Sequence, residues 1–173
     1  QKATPEAVIG DFDEVDLVHA GRAYRLERRG AEYWVEMPDP ESERAALAPG
    51  GGEVPQVWKR VVMTTGSHHM QTYWVGGDRD GSLYNLPWTW LKDEARWVHR
   101  DHVFLRPANA PPSMATWHDN CIECHATASE GHYDAEAGTY APESAELGIA
   151  CEACHGPAEE HVRVNRDPLR RYR

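Results

Sequence analysis

The chain is 173 residues long, 40% hydrophobic, and holds 28 acidic against 18 basic side chains, a formal charge of −10. A length of this order suits one domain or a domain with a subdomain, and the negative balance excludes nucleic acid as a partner. No apolar run is long enough to span a bilayer or to serve as a secretory leader.

In chain order, the residues up to Val98 read as strands. Tyr24-Arg25-Leu26-Glu27 and Tyr33-Trp34-Val35-Glu36-Met37 largely alternate apolar and polar side chains, and Arg29-Gly30-Ala31 between them supplies a turn, so the pair predicts a β-hairpin. Pro38-Asp39-Pro40 ends the second strand, and a short Glu/Ala-rich piece follows. Pro49-Gly50-Gly51-Gly52 reads as a linker, because it lies between polar loops and not at a strand-to-helix turn where a phosphate-binding loop would sit. Further strands are predicted at Val57 to Thr65, Met70 to Val75, Leu83 to Leu86 and Arg96 to Val98, with Gly76-Gly77-Asp78-Arg79-Asp80-Gly81 as a turn.

The texture changes after Leu105-Arg106-Pro107, and Pro111-Pro112 marks a boundary. The expected class is α+β. A β-rich antiparallel region over residues 1–110 is followed by a module of loops and short helices over residues 111–173, which ends in a basic stretch from Arg163 to Arg173.

All four cysteines fall in two copies of Cys-x-x-Cys-His, Cys121-Ile122-Glu123-Cys124-His125 and Cys151-Glu152-Ala153-Cys154-His155, whose first cysteines are 30 residues apart. On a helical turn this spacing lets each sulfur add to one porphyrin vinyl group while the following imidazole reaches the iron. The motifs therefore predict two covalently attached haem c groups. Cys121 and Cys124 would bind one, Cys151 and Cys154 the other, with His125 and His155 as the proximal iron ligands. A four-cysteine zinc site or two short disulfides needs no histidine after each pair, which disfavours both. The seven tryptophans are then core or haem-packing groups. Haem c is attached outside the cytoplasm, so the chain is expected to be exported, to the periplasm or the cell exterior. Its start at Gln1 fits a product whose export signal has been removed.

Asn120 through Thr127, and Gly148 through Val162 with its Cys154-His155-Gly156-Pro157 run, resemble the exported multihaem cytochromes related to the cytochrome c-554 group. More loosely, Val8 to Phe12, Val18 to Gly21 and Gln71 to Trp74 are similar to the β-rich leader before the haems in some of these proteins. Such proteins commonly continue past a second haem, so an end at Arg173 reads either as a short dihaem form or as part of a longer chain.

Eight histidines remain for the distal faces of the irons. His161 lies six residues after His155, too close to swing to the opposite face of its own haem, so it should serve another iron. The resemblance implies the same kind of role, and the haem at Cys121 and Cys124 is its assigned partner. For the haem at Cys151 and Cys154 the candidates are His68, His69, His19 and His118; the plain alternative for each is an exposed or hydrogen-bonded histidine. His99, His102 and His132 rank lower. Ligation by Met70 or Met114 would raise the potential, and the surplus of histidines argues against it.

The function these readings favour is electron transfer, without catalysis. The protein would be a periplasmic carrier to redox partner proteins or extracellular acceptors, or a subunit of an extracellular filament in which a neighbouring copy supplies a haem ligand. The contrasting reading is a multihaem redox enzyme whose open iron takes a small nitrogen oxide or peroxide, with His118, Asp119, Glu123 or Arg106 managing protons. A third makes the β-rich region a docking module.

Overall fold

The computed structural model describes residues 1–48, 52–104, 115–167 and 169. The linker glycines 50 and 51, the expected boundary at 110/111 with its proline pair, Arg106, Met114, and the tail residues Arg170, Arg171 and Arg173 lie outside the described residues. The chain divides into two compact units, Gln1–Trp117 and His118–Arg173.

The first unit is a seven-stranded antiparallel sheet in simple sequence order. Its strands are β1 (Val15–His19), β2 (Arg22–Arg29), β3 (Glu32–Pro38), β4 (Gln56–Thr65), β5 (Met70–Gly76), β6 (Leu83–Leu91) and β7 (Arg96–His99). A short helix, α1 (Pro40–Ala46), links β3 to β4; Asp39 caps it by accepting the Ser42 N–H at 3.2 Å, and Pro40 opens its first turn. The expected hairpin is β2 with β3, where Leu26 stands opposite Val35. Alternation decides which face is buried: Tyr24 and Leu26 on β2, and Tyr33, Val35 and Met37 on β3, all turn inward. The sheet curls into a nearly closed barrel, and its two edge strands meet at His19 of β1 and His99 of β7, whose rings stack at 3.6 Å.

Two departures from regular pairing have local causes. Strand β6 runs five residues beyond the expected end at Leu86, straight through Pro87, which has no N–H to give a ladder. The ladder to β5 shifts register there, from Thr72 opposite Thr89 to Trp74 opposite Asn85, so the proline falls in a bulge. A second shift, between Val61 and Met63, occurs where Lys2 bridges Met63 beyond the end of β3 pairing.

The inside of the barrel is aromatic. Phe12 makes edge-on contacts with Tyr33, Tyr73 and Trp97 at ring separations of 5.1, 5.2 and 5.4 Å. The segment that delivers Phe12 is held by buried polar groups. Tyr73 Oη donates to Gln71 Oε1 at 2.8 Å and accepts the Gly10 N–H at 2.9 Å, while Gln71 Oε1 also accepts the Ile9 N–H at 3.0 Å. Gly10 is needed for close approach, since a Cβ there would run into the Tyr73 hydroxyl and the Trp97 ring.

The expected α+β class is overturned. The protein is β-rich throughout, and the second unit, expected to be loops and short helices, is itself organised by strands. β8 (Thr127–Glu130) pairs with β11 (Glu143–Glu146), and β9 (Tyr133–Asp134) pairs with β10 (Thr139–Tyr140). Its helices, α2 (Ile122–His125), α3 (Glu152–His155) and α4 (Glu159–Val164), are only four to six residues long. The first two stop because the chain turns extended at Ala126 and takes a glycine-only conformation at Gly156, with φ of 74° and ψ of −175°, before Pro157.

Phe12→Ala is expected to cost about 3 to 5 kcal/mol, because the aromatic plug leaves a cavity that its neighbours fill only in part; urea denaturation measures it, and a loss below 1 kcal/mol would show that Phe12 does not anchor the core. Acid should act through His99, which burial, and then the neighbouring His19, push from an ordinary 6.5 down to about 4. The fold thus favours the neutral ring. That stabilisation is complete above pH 6.5, declines as the pH falls toward 4, and is gone below it, a difference on the order of 3 kcal/mol. His99→Gln should lose less stability than the native chain between pH 7 and pH 4; equal losses would contradict the assignment.

Candidate haem-attachment site

Both Cys-x-x-Cys-His motifs occupy single helical turns of the second unit. Cys121 and Cys151 stand at the helix N-caps with helical backbone angles, and α2 and α3 each end on the histidine. The two cysteines of a motif, three residues apart on a helix, therefore share a face, as thioether attachment to one porphyrin needs. None of the four is in a disulfide; Cys121 is half-buried and the other three are exposed. Exposed apolar side chains accompany them: Leu147 and Ile149 just before Cys151, Val162 on α4, and Tyr133. An apolar group of porphyrin size would find both bonding atoms and surface to cover here, so the residues fit haem c.

The two turns are tied to each other by one side chain. Thr127 follows His125 by two residues, and its hydroxyl donates to the Gly148 carbonyl at 2.9 Å and accepts the Ala150 N–H at 2.9 Å. Ala150 immediately precedes Cys151. The β8–β11 ladder places Thr127 opposite Glu146 and so brings the start of the second motif back to the end of the first. Ser129 adds a bond from its hydroxyl to the Ile122 carbonyl at 3.0 Å, which fastens α2 to β8. Beyond the second motif, Glu152 Oε1 accepts the Ala158 N–H at 2.6 Å, so α4 and its His161 are held to α3. Spacing in the sequence does not disclose Thr127; its only signal is a position just after the first motif.

The other expected ligands are placed as follows. His161 is exposed on α4, in the same unit as both motifs. His68 and His69 are exposed in the turn between β4 and β5, and His19 ends β1; all three belong to the first unit. His118 is buried in a π-helical turn, Trp117–Cys121, that leads into the first motif. Its ring lies 3.8 Å from that of Tyr140, and its Nε2 is 3.4 Å from Asp119 Oδ1.

Residues 92–156 match the family model for cytochrome c554 and c-prime, which relates this part of the chain to c-type cytochromes and supports covalent haem c and an electron-transfer role. The match includes both motifs and covers well under half of the chain. No curated protein and no solved structure matches it. No helix among the described residues is long and apolar enough to cross a membrane.

Thr127→Val keeps the shape of the side chain and removes both hydrogen bonds, so it should destabilise the second unit by about 1 to 3 kcal/mol. Amide hydrogen exchange in the haem-loaded protein reads it directly. The Ala150 N–H should exchange faster in the variant, and an unchanged rate would mean that Thr127 does not hold the two motifs together.

Proposed function

We propose that the His118–Arg173 unit binds two haem c groups and that the protein is a dihaem electron-transfer cytochrome. The observation that carries this reading is the pair of Cys-x-x-Cys-His turns tied through Thr127 within one small unit. Cys121 and Cys124 hold one group and Cys151 and Cys154 the other, with His125 and His155 as proximal ligands. When bound, each haem supplies a one-electron Fe(III)/Fe(II) couple.

The chain's own contribution is position and environment. The Thr127 clip and the β8–β11 ladder keep the two attachment turns near each other, which favours fast exchange of an electron between them. Glu123 and Glu152 inside the motifs, and Glu159 and Glu160 just after the second, add negative charge that favours the oxidised state. His161, anchored through Glu152, is the distal ligand of the haem at Cys121 and Cys124. The protein works outside the cytoplasm, where haem c is attached, and passes electrons to redox partner proteins or extracellular acceptors.

Low-temperature EPR of the oxidised protein, on dilute and on concentrated samples, tests this reading. Low-spin signals alone are expected in both, and His161→Ala should convert one haem to high spin. An unchanged spectrum in that variant would remove His161 as a ligand. A high-spin signal in the native protein at every concentration would favour an open iron and a redox enzyme. One confined to dilute samples would mean that a neighbouring copy supplies a ligand, as in a filament.

A further inference from the structure

A separate cluster lies in the first unit, where the two edges of the barrel meet. His19 at the end of β1, with His99 and Asp101 at the end of β7, brings together three ligand atoms that all lie within 4.8 Å of one another. His19 Nε2 is 3.5 Å, and His99 Nδ1 3.4 Å, from the same oxygen, Asp101 Oδ2. His99 Nδ1 accepts the Asp101 backbone N–H at 3.3 Å, so that nitrogen carries no proton and a metal ion would take the place of this hydrogen bond. The cluster lies on the wall of a cavity of about 490 Å³ that also takes in Arg22, Tyr24 and Glu43.

We propose that His19, His99 and Asp101 form a binding site for a divalent transition-metal ion of the zinc class. Two imidazoles and one carboxylate are a donor set such ions favour, and three protein ligands leave a coordination position open toward the cavity. The ion joins β1 to β7, edges that no ladder connects among the described residues. Arg100 also lines the cavity beside the cluster. The two imidazoles lie face to face, 12° from parallel, and an ion in the plane of both requires one ring to turn. His19 is the ring with room, its side chain 29% exposed against 9% for His99. The site does not depend on the haem reading.

Calorimetric titration of the chelator-treated, haem-loaded full-length protein with Zn²⁺ tests the proposal, because thioether formation removes the cysteines as competing ligands. One saturable site and a raised Tm are expected. Asp101→Asn and His19→Gln, at partly exposed positions that need no repacking, should each weaken binding at least about tenfold. His132→Gln, which alters the exposed histidine near Glu130 and Glu143, should leave it unchanged. Absence of a saturable site, affinity unchanged from the native protein in both cluster variants, or loss of binding in His132→Gln would overturn the assignment. So would conversion of a haem to high spin in His19→Gln, which would make His19 a haem ligand.

Discussion

The second unit cannot hold itself together by burying apolar surface. Ile122 and Ala126 are buried, whereas Tyr133, Leu147, Ile149, Val162 and Leu169 are exposed. Two-stranded ladders and one-turn helices with so little interior are below what a short chain stabilises unaided, and small proteins resolve this with covalent cross-links, metals or prosthetic groups. The two porphyrins proposed for this unit, bonded through four cysteines, would meet that need. Polar contacts define the local geometry: Thr127, Ser129 and Glu152 fix the backbone of the attachment turns, and on the proposed reading the exposed apolar side chains around them would cover the porphyrins.

The first unit has the opposite character. Its barrel is packed with interlocking aromatic rings around Phe12 and Tyr73, and the buried Gln71 and Tyr73 fix the segment that delivers Phe12. The stacked histidines at its seam are the exception. They place titratable, metal-ligating groups where a β-barrel most needs closure, between two edge strands.

What could be read in the sequence follows physical lines. The hairpin at Tyr24 to Met37 was legible because its apolar positions alternate with a period of two, and the haem motifs were legible because thioether chemistry dictates the spacing of Cys121 with Cys124 and of Cys151 with Cys154. The strand predicted over Leu83 to Leu86 extends to Leu91 because a bulge absorbs Pro87, which local pattern does not reveal. β8 and β11, with the sequences Thr-Ala-Ser-Glu and Glu-Ser-Ala-Glu, lack the β-branched and aromatic residues that announce a strand. Their pairing depends on partners brought together by the chain's return, so the class was read as α+β. The proximity of His99 to His19 is likewise made by barrel curvature, which no local pattern records.

The central claim is that one chain holds two covalently bound haems, and intact-mass measurement of the protein purified from a host that matures c-type cytochromes tests it most directly. The account predicts the polypeptide mass plus that of two haems, resistant to acid-organic extraction, with each haem lost separately when Cys121 and Cys124, or Cys151 and Cys154, are replaced by alanine. A mass corresponding to one haem or none in the native chain would contradict it.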